Sequence, residues 1–189
     1  MTDHDPDAAL LARYAGGDRS AARDLTHRLA PRAMSTAYRL LGDQAEAEDV
    51  TQEAMFRLWQ VAPDWKTGNA LVSTWLYRVV LNLCRDRHRR LRRSPVTLDD
   101  AADPADTAPG AVARLEEADR LAALNAALGT LPERQRQALV LRMIEELPNP
   151  QIAEIMGIGV EAVESLTARG KRALRDRLAR KREELGYDS

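Results

Sequence analysis

The chain has one cysteine in 189 residues, Cys84, so neither an intrachain disulfide nor a CxxC or zinc-binding set can form. Lying in the middle of a predicted helix, Cys84 reads as a small, buried or half-buried apolar side chain. The three histidines, His4, His27 and His88, are scattered along the sequence and make no metal cluster. A nucleophile with its base and a glycine-rich phosphate loop are likewise missing, so an enzyme is the least supported class and no cofactor is expected. No apolar run reaches the roughly 18 residues that would cross a membrane. The first residues show no charged-then-apolar leader, and a cytoplasmic protein without membrane insertion is expected. Aromatic residues are scarce, at 4% of the chain, and its three tryptophans, Trp59, Trp65 and Trp75, lie within one short stretch.

What is present is enough apolar residue, 44%, to build two small cores or one of moderate size. The net charge of −1 hides segregation. Residues 1–54 hold ten acids against six bases, whereas the segment from Arg78 to Arg93 holds seven arginines against one acid, Asp86.

The segment from Asp49 to Arg93 carries two different surfaces in succession. Asp43-Gln-Ala-Glu46 after Gly42 has the form of a capping box following a helix end. At about 100° per residue, Ala47, Val50, Ala54, Leu58 and Val61 share one arc, which is the expected buried face. Asp49, Gln52, Glu53 and Gln60 fall opposite, with Met55 and Trp59 at the edge, a mixture suited to a protein interface. Phe56 also lies on the acidic arc, either joining that interface or packing under another helix.

A second helix is expected from an N-cap at Ser73 to about Arg93, with Val72, Trp75, Leu76, Val79, Val80 and Leu83 inward. Arg78, Asn82, Arg85, Arg89 and Arg92 recur at steps of four and three and form a stripe. A solvated helix interleaves both signs of charge, and this one does not. The planar guanidinium suits phosphate oxygens, and each neutralised phosphate releases counterions, so nucleic-acid backbone contact is the favoured reading. Between the helices, Pro63 and Gly68 break the chain into a tryptophan-flanked loop. Such a loop beside a cationic helix can hold an unstacked base, or the tryptophans can simply staple loop to helix; Trp75, on the apolar arc, leans to the core.

Ala101-Ala-Asp-Pro-Ala-Asp-Thr-Ala-Pro-Gly110, preceded by Asp99 and Asp100, cannot bury a core and reads as an acidic tether. Beyond it Glu116 to Leu128 is amphipathic, Gly129 ends that helix, and Thr130-Leu-Pro-Glu133 starts another running to about Glu146. Pro148-Asn-Pro150 marks a turn, with Asn149 as N-cap. Counting Asn149 as one, apolar residues stand at positions four, eight, ten, fifteen and eighteen (Ile152, Met156, Ile158, Val163, Leu166), with Ala153 at five and Gly157 at nine. That is the helix-turn-helix template: the small residue allows a close crossing and glycine the turn's positive φ. The helix from about Val160 would enter the major groove with Glu161, Glu164, Ser165, Ala168 and Arg169 near its front, and a rear rich in cations, including Arg172, set against phosphates.

Taken together, these motifs resemble the extracytoplasmic-function sigma factors of bacterial RNA polymerase over nearly the whole chain. The resemblance implies an all-α protein of two small helical domains: a region 2-like bundle over 1–95, an acidic flexible linker over 96–115, and a region 4-like helix-turn-helix domain over 116–183. Ala47-Glu-Asp-Val-Thr-Gln-Glu53 with Trp59 resembles the helix that docks on the clamp helices of the polymerase's largest subunit, implying contacts by Asp49, Gln52, Glu53, Met55 and Trp59. Ser73-Thr-Trp-Leu-Tyr-Arg-Val-Val-Leu-Asn82 resembles the helix that melts and holds the −10 element. That implies roles for Trp65, Lys66, Asn69, Trp75, Arg78, Asn82, Arg85 and Arg89. Leu131-Pro-Glu-Arg-Gln135 and the helix-turn-helix resemble the part that reads the −35 element and touches the polymerase flap, implying Glu161, Glu164, Ser165, Ala168, Arg169 and Arg172. The partners so implied are core RNA polymerase, promoter DNA and a cognate anti-sigma factor. Two departures stand out. Glu164 replaces a frequent basic residue, and a carboxylate there can accept from a cytosine amino group. The loop from Thr67 to Leu71 also lacks a frequent aromatic. A sigma mimic that sequesters an anti-sigma factor is the alternative reading; the intact arginine stripe argues against it, since a decoy needs no phosphate contacts. A helix-turn-helix regulator without polymerase docking would leave the Asp49 to Trp59 surface unexplained.

Overall fold

The computed structural model describes residues 5–66, 68, 70–93 and 121–184. The expected acidic linker and Asn69 fall outside these residues. Among those described there is no strand. Four helices form an N-terminal group: α1 (Pro6–Ala15), α2 (Arg19–Leu41), α3 (Gln44–Val61) and, after a 3-10 turn at Ala62–Asp64, α4 (Val72–Arg93). A C-terminal group follows, with α5 over 121–129, α6 (Glu133–Leu139) continuing into a π-helical turn at Val140–Ile144, α7 (Asn149–Met156) and α8 (Val160–Glu184).

Capping chemistry sets most of the boundaries. Asp18 accepts from Ser20 N at 2.9 Å to start α2, and Asp43 accepts from Glu46 N at 2.8 Å to start α3. Gly42, at φ 75°, ends α2 in the left-handed region. Only half of the expected capping box forms, because the Glu46 carboxylate turns away to meet Arg87 Nη1 at 2.6 Å. The start of α4 also differs from expectation. Ser73 lies inside the helix rather than capping it, and the cap comes from the other end of the group: Asp5 Oδ2 accepts from Val72 N at 2.8 Å while its Oδ1 accepts from Asp7 N at 3.0 Å. One carboxylate thus serves the starts of both α1 and α4.

The inward arc of α3 is as expected, with Ala47, Val50, Ala54 and Leu58 buried and Val61 packed against them. Together with Leu11, Leu25, Leu29, Val72, Leu76 and Val80 they form the N-terminal core. Helix α4, however, is buried along two stripes. Beside Val72, Leu76, Val80 and Leu83, a second set, Thr74, Tyr77, Leu81 and Cys84, is buried as well. The repeat of three and four residues places this set on the adjoining face, where α7 packs on α4 and the π-helical turn on α2.

In the C-terminal group Leu128, Leu139, Leu141, Ile152, Met156 and Val163 make the core. Gly157 adopts φ 63° at the helix-turn-helix corner, and Ala153 is buried at the crossing, as the template requires. Asn149 begins α7 without a side-chain cap bond; its amide donates instead to Glu164 Oε1 at 3.4 Å, tying α7 to α8. At Gly170 a Cβ would lie 2.8 Å from Leu139 Cδ1, so the missing side chain lets α6 cross α8 closely.

Candidate nucleic-acid interface

Arg78, Asn82, Arg85 and Arg89 are exposed, as a backbone-contacting stripe requires, and Arg90 is exposed on an adjoining face, whereas Arg87 turns inward to Glu46 and, at 3.6 Å, to Asp49. Arg87 therefore clamps α4 onto α3 and leaves the stripe. Arg89 Nη2 lies 2.7 Å from Asp86 Oδ1, an exposed pair of the kind worth about 0–1 kcal/mol and readily exchanged for phosphate.

At the amino end of α4, Trp65 and Trp75 meet edge to face with ring centroids 6.0 Å apart. They form part of a cleft of about 480 Å³ whose wall also includes Val61, Asp64, Lys66, Ala70, Arg78 and Glu154. Trp65 is half-buried, Lys66 is exposed, and the indole Nε1 of Trp65 is buried with no hydrogen-bond partner. A donor left unpaired next to an aromatic wall and a cation is suited to an acceptor that arrives with a ligand, such as a base edge. The two readings of the tryptophans therefore coexist: they staple the loop to α4, and the staple lines a cleft. The third tryptophan stands elsewhere. Trp59 packs at a tilt of 56° against Tyr14 of α1, with centroids 4.7 Å apart, and is half-buried there.

The acidic arc of α3 is present, with Asp49 63% and Glu53 43% exposed in their side chains and Gln52 and Gln60 also outward. Met55 is not on it. At 7% exposure Met55 belongs to the core, and the large apolar side chain on the acidic face is Phe56, 57% exposed. Helical phase put Met55 at the edge of the arc and Phe56 on it; which was covered depended on how α2 and α3 pack. An exposed phenylalanine next to Gln52 and Glu53 is the functional candidate that phase left undecided.

On α8, Glu161, Glu164, Ser165, Ala168, Arg169 and Arg172 are all exposed, while Val163, Thr167 and Gly170 face inward. The front of the expected recognition helix is therefore open. Its two carboxylates accompany the basic run further along, which gives a mixed rather than uniformly cationic leading surface.

One cluster was invisible to sequence periodicity. Glu145, 5% exposed in its side chain, accepts from Tyr77 Oη of α4, from Thr36 Oγ1 of α2 at 2.9 Å and from Arg32 Nε at 3.3 Å. The Arg32 guanidinium also lies 5.7 Å from the centroid of the Tyr77 ring. Burial first, and then the Glu145 carboxylate, push the Tyr77 hydroxyl far above the usual phenol range, so it remains a proton donor. Glu145 reaches this site because the π-helical turn ends there, with Glu145 N bonded to Val140 O at 3.1 Å and Glu146 forced to φ 55°. A buried carboxylate costs several kcal/mol unless its lone pairs are filled, and three donors fill them.

Comparison with known proteins agrees with this geometry. The family model for Sigma-70 region 2 matches residues 25–94, and that for Sigma-70, region 4 matches residues 121–174. The chain is 33% identical to ECF RNA polymerase sigma factor SigW of Bacillus subtilis (strain 168) over 179 residues, covering 86% of this chain and 91% of that protein. It is 35% identical to ECF RNA polymerase sigma factor SigE of Mycolicibacterium smegmatis over 161 residues, covering 83% of this chain but 61% of that longer relative. Among solved structures, CnrH in complex with the cytosolic domain of CnrY superposes with a TM-score of 0.68 at 29% identity, over 92% of this chain and 97% of that one. With an acidic-faced helix, an arginine-striped helix beside a tryptophan cleft and a helix-turn-helix in this order, and with both family models and these relatives matched, the chain belongs to the extracytoplasmic-function sigma factors of the sigma-70 family.

Proposed function

We propose that this chain directs core RNA polymerase to promoters through three surfaces, each carried by a different helix. The exposed arc of α3, Asp49, Gln52 and Glu53 with Phe56 beside them, docks on the polymerase. Its charges are held only by surface pairs, Glu53 with Arg57 and Asp49 with Arg87, which exchange at little cost. Trp59 buttresses that helix against α1, and Met55 anchors it in the core. Helix α4 and its cleft take the −10 strand: Arg78, Arg85 and Arg89 neutralise phosphates, Asn82 offers an amide between them, and Trp65, Lys66 and Trp75 receive an extruded base, with Asn69 assigned by resemblance alone. Helix α8 reads the −35 element with Glu161, Glu164, Ser165, Ala168, Arg169 and Arg172. The proposed domain limits, 1–95 and 116–183 with an acidic connector between, enclose the two family matches at 25–94 and 121–174 and extend beyond both. The chain works in the cytoplasm as a specificity subunit without catalysis of its own. An anti-sigma factor holding the two domains is its expected regulator; the similar chain CnrH was solved in complex with the cytosolic domain of CnrY. No described helix is long and apolar enough to cross a membrane.

The observation that carries this reading is the pairing, in one chain, of two separate helices with exposed polar and cationic faces, α4 and α8. A lone regulator needs only the second. Run-off transcription with core polymerase tests it. Reversal of Arg78, Arg85 and Arg89 to Glu abolishes promoter opening while core binding persists; Asp49 with Glu53 to Lys does the converse. Normal transcription by both variants would refute the division of labour.

A further inference from the structure

Helix α8 carries two carboxylates on the face assigned to DNA, and the helix itself accounts for only one of them. Glu161 stands in the first turn, where the helix dipole favours an acid with or without a ligand. Glu164 lies beyond that turn. Its neighbours three and four residues away are Val160, Glu161, Thr167 and Ala168, so no lysine or arginine of α8 stands where it could pair with it. Other acids on helix surfaces do have such partners: Glu53 meets Arg57 at 2.8 Å, and Asp86 meets Arg89 at 2.7 Å. The one bond Glu164 makes among the described residues comes from outside the helix, where Asn149 Nδ2 at the start of α7 donates to its Oε1 at 3.4 Å. One carboxylate oxygen is thus occupied, and Oε2 is left as an open acceptor on an exposed side chain. The exposed neighbours on that face, Ser165 and Ala168, are small and leave room for a base edge. Arg169 Nε donates to the carbonyl of Ser165 at 3.2 Å, which brings a cation back to the turn that holds Glu164 without capturing it.

We infer that Glu164 selects cytosine at one position of the −35 element and that Asn149 is its positioning residue. This rests on the assignment of α8 as the −35 reader. In the major groove guanine and thymine present only acceptors, and a carboxylate offers only acceptors back, so both repel it. Adenine has a donor in its N6 amino group, but N7 beside it is an acceptor that meets the carboxylate lone pairs. Cytosine alone presents a donor, N4, with no acceptor next to it on the same base, which matches a carboxylate with one free oxygen. The selection is therefore as much exclusion as attraction. The repulsion that a lone acid would feel from phosphates is offset by Arg169 and Arg172 on the same exposed face. Because Asn149 belongs to the first helix of the helix-turn-helix, the corner at Gly157 sets both the crossing of α7 on α8 and the aim of the reader.

The test uses holoenzyme assembled from core polymerase and the full-length chain, on a duplex promoter library randomised in the −35 and −10 elements, with the DNA retained in heparin-resistant complexes sequenced. Wild type should enrich cytosine about ten- to hundredfold over the other bases at one −35 position, the range that one good base contact supports. Glu164→Gln should move the preference at that position to adenine, whose N6 and N7 suit an amide, and Glu164→Ala should flatten it. Asn149→Ala should keep cytosine first while cutting its enrichment severalfold and leaving the other −35 positions unmoved, a pattern that a general loss of stability would not give. Cytosine enrichment that survives Glu164→Ala overturns the inference, and so does a wild type that selects other −35 bases but no cytosine. Equal enrichment in Asn149→Ala and wild type overturns the positioning role. The underlying assignment is checked apart: if Arg169→Ala with Arg172→Ala leaves the whole −35 pattern as it was, α8 is not the reader, and it is that assignment which fails.

Discussion

Salt dependence tests whether the outward arginines of α4 contact DNA while the inward one serves the protein. The sequence places them on one cationic helix, but in the structure Arg87 is 25% exposed and committed to Glu46 and Asp49, while Arg78, Arg85 and Arg89 point outward. With three phosphates neutralised on a single strand at about 0.7 each, this helix contributes a slope of about 2.1 in log affinity against log salt. Between 50 and 200 mM salt its contribution weakens binding about eighteenfold. Arg78→Ala with Arg85→Ala leaves one contact, a slope of about 0.7 and a loss of about 2.6-fold over the same range. Arg87→Ala leaves the slope alone and instead destabilises the packing of α4 on α3. The assay is anisotropy of a labelled non-template −10 strand bound to holoenzyme, titrated at several salt concentrations. If Arg87→Ala lowers the slope as much as Arg78→Ala does, the inward placement of Arg87 does not describe the DNA-bound protein and the reasoning fails.

Other consequences are thermodynamic and chemical. Asp5→Ala removes the cap of two helices and should cost about 2 kcal/mol in urea unfolding, against about 1 for Asp43→Ala, which removes one; equal costs would show that the α4 cap is dispensable. Glu146→Gly should raise stability by about 0.5–1 kcal/mol, since a Cβ at φ 55° costs about 1–2 and glycine returns part of that as unfolded-chain entropy; a lower denaturation midpoint would contradict this. Burial pushes the Cys84 thiol up to about 12, so iodoacetamide at pH 8 should label the folded chain at least about a thousandfold more slowly than the unfolded one. The sign follows from a raised folded value: this thiol's contribution to stability is full below the unfolded value of about 8.5 and is lost as pH climbs toward 12.

Sequence periodicity recovered the inward arc of α3, the helix-turn-helix and the exposed front of α8, because each depends on neighbours three or four residues away. It went wrong where a long-range partner decided the outcome. Ser73 looked like a cap, but a carboxylate 67 residues away does the capping. Met55 stood at the edge of the acidic arc and Phe56 on it, and only the packing of α2 on α3 covered the first and left the second in water. Helix α4 seemed to have one buried face, since Thr74, Tyr77, Leu81 and Cys84 make a mixed stripe that no hydrophobic template selects.

The sequence by itself determined the family, the helical class and where the acidic, cationic and apolar faces lie, because charge segregation and helical phase are local properties written into consecutive residues. Which side chains on those faces stay exposed was decided only by tertiary structure. Glu145 is one acid among the chain's 29 until the fold brings Tyr77, Thr36 and Arg32 around it. The reason is physical: a carboxylate and its donors are ordinary polar groups in water, and they tie helices together only when exclusion of solvent makes an unfilled lone pair costly.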